Sequence, residues 1–588
     1  MPIKSFYTEQ SNIAQKAIDK ATSTFRLWVF LRLLIFITIA IAVYFLWGNW
    51  KIVVPTIILG VIIFVSAISR FQDAKTALNK AKKWKEIIHG ELLGIEGNYS
   101  SFDDGSEFKD SKHPFAYDMD LFGENSIYQF LNRTFSLKGK LFLADLLKNG
   151  ATSAKEVNEM IVGLSENMEW CVQFRVNGEV NDWGEALDAD LEQLKAFLFH
   201  NPSWLNPVRM ILTLIGVGAF VALTLNLIDG VIFTIVILVN LFFVGYFLKD
   251  TNRVIDIVGK YEGKVNFLMN QMQLIQRLDT NNKTLNDFME SLDKEKGALL
   301  ALRDLLKIQR RFELRINVLV GVLLNGLFVW DFHQRVALKK WMNNYQQKIG
   351  NWETDLVKLE AYISGAFLKY NHRETLFATF VEDDEVNIKG LKHPLIPVNK
   401  AVANDVQFDE SRRLMILTGP NMAGKSTYLR SVGLLFVFAN AGFPVFAQKA
   451  DIPPYKLFTS MRTSDDLSNE SSYFHAELSR LRLILNAIER GERLFILLDE
   501  ILKGTNSLDK EQGSKQFLQK LKRLNTQGII ATHDLALCEL SKSNDYFFNG
   551  YFDSTITEDE LYFDYLWREG VCQNMNASFL LKKMGLTD

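Results

Sequence analysis

The sequence predicts a chain of α plus α/β class: two helical hairpins long enough to cross a bilayer, set into a mainly helical region that leads to a C-terminal α/β domain. Three observations predict it. Apolar runs with almost no charge fall in two close pairs, 28–47 with 52–69 and 210–228 with 231–248. No proline occurs between Pro207 and Pro394 and no glycine between Gly263 and Gly297, over text rich in Leu, Gln, Glu, Lys and Asn, which is the texture of long helices. From about residue 376 short apolar runs alternate with helical ones, the pattern of a parallel sheet.

Composition narrows the function. The 588 residues carry 66 Lys and Arg against 68 Asp and Glu, so no global positive field draws nucleic acid and any basic surface is local. With 48% hydrophobic and 23% charged residues the chain is not disordered. A mean hydropathy of +0.02 is high for a soluble enzyme, and the excess sits in the four runs. Cys171, Cys538 and Cys572 are too few and too far apart for a disulfide framework or a zinc cluster, which fits a reducing compartment.

Residues 1–25 read as a polar arm with little to fold by itself. Residues 26–70 form the first hairpin, turning at Gly48-Asn49-Trp50-Lys51; each run can cross about 30 Å of hydrocarbon at about 1.5 Å per residue. Arg32, the charge inside it, lies near the helix end and can snorkel. The run starts far from Met1 and a second follows at once, so a cleaved secretory signal is not expected. Residues 71–208 form the first part of a cytoplasmic helical core, with a loop over 98–112, and 209–249 form the second hairpin, turning at Asp229-Gly230. Residues 250–375 are the second helical part. Within it the apolar stretch 316–330 is about half a span too short and contains Asn325, so it reads as a packed core helix. Residues 376–560 form the α/β domain, and 561–588 a tail. Arg26, Arg70, Lys75, Lys80, Lys82 and Lys83 flank the first hairpin and Arg209, Lys249 and Arg253 the second. The positive-inside rule then places both turns outside and the rest in the cytoplasm, as a multi-pass protein of the cell membrane, with Trp47, Trp50 and Trp204 as interfacial anchors.

The chemistry lies in the α/β domain. A buried-strand run, 414–418, leads into Gly419, Pro420, Asn421, Met422, Ala423, Gly424, Lys425, Ser426 and Thr427, and then into a helical pattern. This is a P-loop in its strand–loop–helix context: backbone N–H groups at a helix N-terminus wrap phosphate oxygens, Lys425 reaches the β- and γ-phosphates, and Ser426 holds Mg²⁺. A second strand, 494–498, ends in Asp499, placed to organise Mg²⁺, and Glu500, placed to polarise the attacking water. A third, 528–532, ends at His533, a candidate γ-phosphate sensor. Together these predict a Mg²⁺-dependent ATPase with Glu500, Lys425 and His533 as catalytic residues.

These residues resemble the MutS family of DNA mismatch-repair ATPases. TGPNMAGKST at 418–427 is similar to that family's loop. Asp465-Asp466-Leu467 with Ser472-Tyr473-Phe474 looks like its signature segment, which implies that Ser472 reaches the nucleotide of the opposite subunit of a homodimer. Leu498-Asp499-Glu500 with Gly504-Thr505 looks like its Walker B region, Ala531-Thr532-His533 like its switch, and His393-Pro394 with Asn404-Asp405 like its ATPase entrance. By the same resemblance Phe380 matches the position that stacks on adenine, and 561–588 the dimer-closing tail. Upstream, Asp118-Met119-Asp120-Leu121-Phe122-Gly123 and Asn132-Arg133-Thr134 look like the start of the family's helical core. The resemblance implies an ABC-type ATPase domain fed by a MutS-like core and lever. The separate mismatch-reading domain is not expected in this chain, and Phe6-Tyr7-Thr8-Glu9 imitates its wedge motif only faintly.

The function expected is a membrane-anchored MutS-like ATPase that works as a dimer and binds DNA, related to mismatch repair but not mismatch-selective. The alternatives are a MutS-derived membrane scaffold for protein partners and an ABC-type membrane motor, neither binding DNA. Against the motor, no LSGGQ-like segment occurs and the outer turns are very short. Lys80, Lys82, Lys83 and Lys85, Arg310, Arg311 and Arg315, and Lys339-Lys340 are the candidate phosphate-contacting stripes.

Overall fold

The computed structural model describes residues 3–180, 204–260, 262–293, 297–316, 318–462, 473–502, 507–557 and 560–573. Helix α1 (Ile3–Phe45) and helix α2 (Trp50–Ile95) form one long antiparallel hairpin. The expected polar arm is therefore the first half of α1. No glycine or proline interrupts it, and Tyr7, Gln10 and Ala14, at i, i+3 and i+7, form a buried stripe. Tyr7 is fully buried and its hydroxyl donates to Asn371 Oδ1 at 2.8 Å. In the apolar part, Gly60 lets Ile39 approach closely, and the Arg32 guanidinium lies 4.3 Å from the centre of the Phe71 ring.

The helical region continues with α3 (Ile127–Leu131), α4 (Leu137–Asn149), α5 (Ala154–Glu166) and α6 (Met168–Val180). Ser126, Ser136 and Ser153 start α3, α4 and α5, each accepting a backbone N–H from the first turn. The second hairpin is α7 (Leu205–Thr224) and α8 (Gly230–Tyr246), and α9 (Leu248–Lys260) leaves α8 at 63°. By length and composition α1 and α7 can cross a membrane, and α8 with α9 can form a broken span. Next come α10 (Glu262–Ile275), α11 (Lys283–Asp293), α12 (Ala298–Glu313), α13 (Val318–Phe328) and the 42-residue α14 (Trp330–Asn371).

One apolar core joins α2, α5, α6, α10–α12 and α14. A buried charge network runs through it: Glu91 of α2 accepts from Arg133 Nε and from Arg175 Nη1, each at 2.7 Å, and Arg133 also lies 3.7 Å from the centre of the Phe102 ring. Glu353 pairs with Lys264 and Lys138 at 3.1 Å each. The stretch expected to be a core helix, 316–330, is not one: α13 packs on α7 and α8 and leaves Val322 and Leu323 exposed.

Two sheets follow. The smaller holds β1 (Thr379–Phe380), β2 (Val386–Leu391), β3 (Asn404–Phe408) and β5 (Lys449–Ile452), in the order β1-β5-β2-β3. The larger holds β4 (Leu414–Thr418), β6 (Lys456–Ser460), β7 (Leu494–Asp499), β8 (Gln527–Ala531) and β9 (Phe547–Tyr551), all parallel, in the order β9-β4-β8-β7-β6. Its fully buried central strands read as continuous apolar runs because helices cover both faces: α15 (Lys425–Ala441) on one, α16 (Tyr473–Glu489) and α17 (Ser507–Arg523) on the other. A small hairpin, β10 (Thr555–Thr557) and β11 (Glu560–Tyr562), leads to β12 (Arg568–Glu569), which pairs antiparallel with β9. Past residue 560 the chain thus keeps contact with the larger sheet: Arg568–Glu569 add an edge to β9, and the Cys572 N–H donates to Thr418 Oγ1 at 3.3 Å.

Candidate nucleotide-binding site

The loop between β4 and α15 is built by glycine where no other residue fits. Gly419 has φ +141°, and a Cβ there would stand 2.6 Å from the Phe552 carbonyl oxygen. Gly424, at φ +105°, is the residue before α15. The first backbone N–H groups of α15 and the positive end of its dipole face the loop. Lys425 is buried, and its Nζ donates to the Gly419 and Pro420 carbonyls at 2.6 and 3.1 Å. Burial pulls its pKa down, opposed by Asp499 and Glu500.

Strand-end residues complete the site. Ser426 Oγ donates to Asp499 Oδ2 at 2.9 Å. Glu500 follows β7 in the left-handed region, φ +54°, its N–H donating to the Ala531 carbonyl at 2.9 Å. His533 Nε2 lies 2.8 Å from Asn421 Oδ1, 3.3 Å from Glu500 Oε1 and 3.5 Å from Lys425 Nζ. Burial first, then Lys425, lowers the His533 pKa, so the ring is neutral at pH 7. A cavity of about 820 Å³ opens over the loop, and its far wall carries His393, Ile396, Val402, Asn404, Phe552 and Tyr565. Burial pushes His393 down to about 4.

The structure gathers Pro420, Asn421, Met422, Gly424, Lys425, Ser426, Thr427, Asp499, Glu500 and His533 around this cavity; Gly419 and the buried Ala423 shape the loop from behind. Phe380 lies in β1, paired with Ile452 of β5, with its ring partly exposed. Ser472, Asp465-Asp466-Leu467, Gly504-Thr505 and residues 574–588 fall outside the described residues. The sequence reading missed Tyr565, whose ring would lie 3.2 Å from a Cβ on Gly424; Asn404, read there with Asp405 as part of an entrance, binds the Tyr565 carbonyl at 3.0 Å and the Trp567 N–H at 2.7 Å through its amide. The aromatic cluster at 562–567 is the available signal, though it lies within the stretch 561–588 that resembles a tail.

The helical region is fastened to this domain near the loop. Asp118 accepts from Thr459 Oγ1 at 2.5 Å and from the Met461 and Arg462 N–H groups at 3.1 and 2.9 Å; Arg430 of α15 donates to the Asp118 carbonyl at 3.2 Å. The basic stripes are partly engaged within the chain. Lys83 pairs with Glu86 and Glu179, and Arg315 with Asp331.

A parallel sheet whose central strand runs through a glycine-bearing loop into a helix, with carboxylates at a nearby strand end, defines a class of α/β domain with an anion-binding helix N-terminus. Residues 415–582 match the family model for MutS domain V. The chain is 35% identical to the DNA mismatch repair protein MutS of Thermotoga maritima over 193 residues, 32% of this chain and 24% of that one. It is 34% identical to the MutS of Petrotoga mobilis over 209 residues, 34% and 25% of the two chains. To that of Fusobacterium nucleatum it is 39% identical over 167 residues, 27% and 18%. The matched segment thus spans about a quarter or less of these relatives' length.

Proposed function

We propose that this chain is a membrane-anchored MutS-like ATPase that binds and hydrolyses ATP with Mg²⁺ as a homodimer and binds DNA. The observation that carries the reading is the convergence of Lys425, Ser426, Asp499, Glu500 and His533, from three strand ends, on one cavity. The residues fit the group: a glycine cradle that a Cβ would fill, a buried lysine, and a hydroxyl hydrogen-bonded to a carboxylate. Ser426 and Asp499 would hold Mg²⁺, which supplies charge neutralisation at the phosphates. Lys425 exchanges its two carbonyl partners for phosphate oxygens. Glu500 Oε1 orients and polarises a water, while neutral His533, fixed by Asn421, donates or accepts one hydrogen bond beside it. Tyr565 and Ile396 offer an apolar wall for a base, and the partly exposed Phe380 is the residue proposed to stack on it. The similarity to proteins named for DNA mismatch repair supports the DNA part of the reading, and the long apolar helices α1 and α7 support the membrane part.

The test is ATP turnover by the full chain in detergent, with and without Mg²⁺. Turnover that needs Mg²⁺ and vanishes in Lys425→Ala, with nucleotide binding weakened at least about tenfold, is expected from the loss of a charge-assisted contact to phosphate. Wild-type turnover in Lys425→Ala would overturn the assignment.

A further inference from the structure

We propose that α13 is a third membrane-embedded element, inserted into the cytoplasmic half of the bilayer beside the second hairpin; this rests on the membrane reading above. At 11 residues it is about 16 Å long, half a span, so it cannot cross. It contains no charge, and Val322 and Leu323 are 45% and 63% exposed, as are the apolar Leu214 of α7 and Leu238 of α8, at 70% and 58%. An aqueous helix of this composition would be covered. Among the described residues, the covered positions Gly321, Asn325 and Gly326 meet Arg315, Asp331 and the hairpin's Ile237 and Asn240.

The packing uses the devices of helices in lipid. Gly216 of α7 brings its backbone against the Leu327 carbonyl, where a Cβ would stand 2.3 Å from the oxygen, and Gly326 brings α13 against Ile237 of α8. More telling is the helix end. Carbonyls at a helix C-terminus lack intrahelical partners, and hydrocarbon offers none. Asn240, a buried amide inside the apolar α8, donates to the Gly326 carbonyl at 2.6 Å; Thr213 Oγ1 of α7 lies 3.0 Å from the Phe328 carbonyl. The Val329 N–H closes on the Asn325 carbonyl at 3.1 Å, at φ +48°, before α14 begins. Polar groups of the hairpin thus cap α13 where water is absent. The contacts fall four to seven residues inward of Arg209, roughly 6–10 Å below the charged boundary. Since α14 follows directly and runs to the ATPase, its first turn is tied into the bilayer.

The test uses the full chain in phosphatidylcholine/phosphatidylglycerol vesicles, with nitroxide labels on Leu323→Cys and Val322→Cys. Leu214→Cys serves as a hairpin reference and Leu483→Cys, on the exposed side of α16, as an aqueous one. The three native cysteines are buried, so wild type gives the labelling background. The expected result is a ratio of oxygen to nickel-chelate collision rates at 322 and 323 matching Leu214→Cys and several-fold above Leu483→Cys. Aqueous ratios at 322 and 323 with a lipid ratio at 214 would overturn this proposal alone; an aqueous ratio at 214 would overturn it together with the membrane reading.

Discussion

Glu500 occupies a backbone region that costs a non-glycine side chain roughly 1 kcal/mol, yet it points into the cavity beside His533. Glu500→Gln keeps the shape and the hydrogen-bonding reach but loses the charge that polarises water. Turnover is expected to fall by about 10²-fold or more while nucleotide binding persists, read as a stable ATP complex in single-turnover kinetics. Near-wild-type turnover would remove Glu500 from its role. A second carboxyl makes a prediction about pH. Glu360, fully buried on α14, accepts from Ser136 Oγ at 2.7 Å and from two backbone N–H groups, yet burial lifts its pKa to about 7. The folded state then holds this proton where the unfolded chain has released it. Its contribution to stability is full below about pH 4.5 and is lost as pH rises through 7, the reverse of a salt-bridged acid. Glu360→Gln is expected to remove that part of the pH dependence of the thermal midpoint; an unchanged slope would count against the lifted pKa.

At the scale of elements, α2 is both half of an apolar hairpin and a strut of the helical core, and Glu91 is where it is fastened. Arg133→Ala leaves a fully buried carboxylate with Arg175 as its remaining close cation, and breaking such a pair costs about 3–5 kcal/mol. The expected outcome is a drop of that size in denaturant stability; a change under about 1 kcal/mol would show the pair to be solvated. The strands and helices around the 419–427 loop were legible because each announces itself within a few residues: an apolar run, a glycine turn, a helical period. The first half of α1 was not. Its buried stripe is Tyr, Gln and Ala, too polar to be separated from a solvated arm until Tyr370 and Asn371 arrive from the far end of α14.

For the whole molecule, the membrane reading predicts that a tag at Asp229-Gly230 is labelled from outside intact cells and one at Asp588 is not; the opposite pattern would invert the topology. The DNA reading predicts binding of homoduplex, mismatched and branched DNA that falls steeply between two salt concentrations, because phosphate neutralisation releases counterions. Mismatch preference is expected to be weak. Phe6 and Tyr7, the faint imitation of a wedge, pack against Tyr370 in the helical core and cannot enter a base step without unfolding it. Binding to none of the three DNAs would favour a protein scaffold.

By itself the sequence determined the apolar hairpins, the parallel α/β domain and the loop with its strand-end acids, since these depend on residue type and short spacing along the chain. Only the tertiary structure decided that Tyr565 faces the cavity, that Arg568–Glu569 add an edge to the larger sheet, and that the 318–328 helix lies against the second hairpin. Each of those outcomes depends on which distant segment satisfies a backbone group or covers an apolar face. That choice is made by packing between separate elements, and periodicity within one element carries no trace of it.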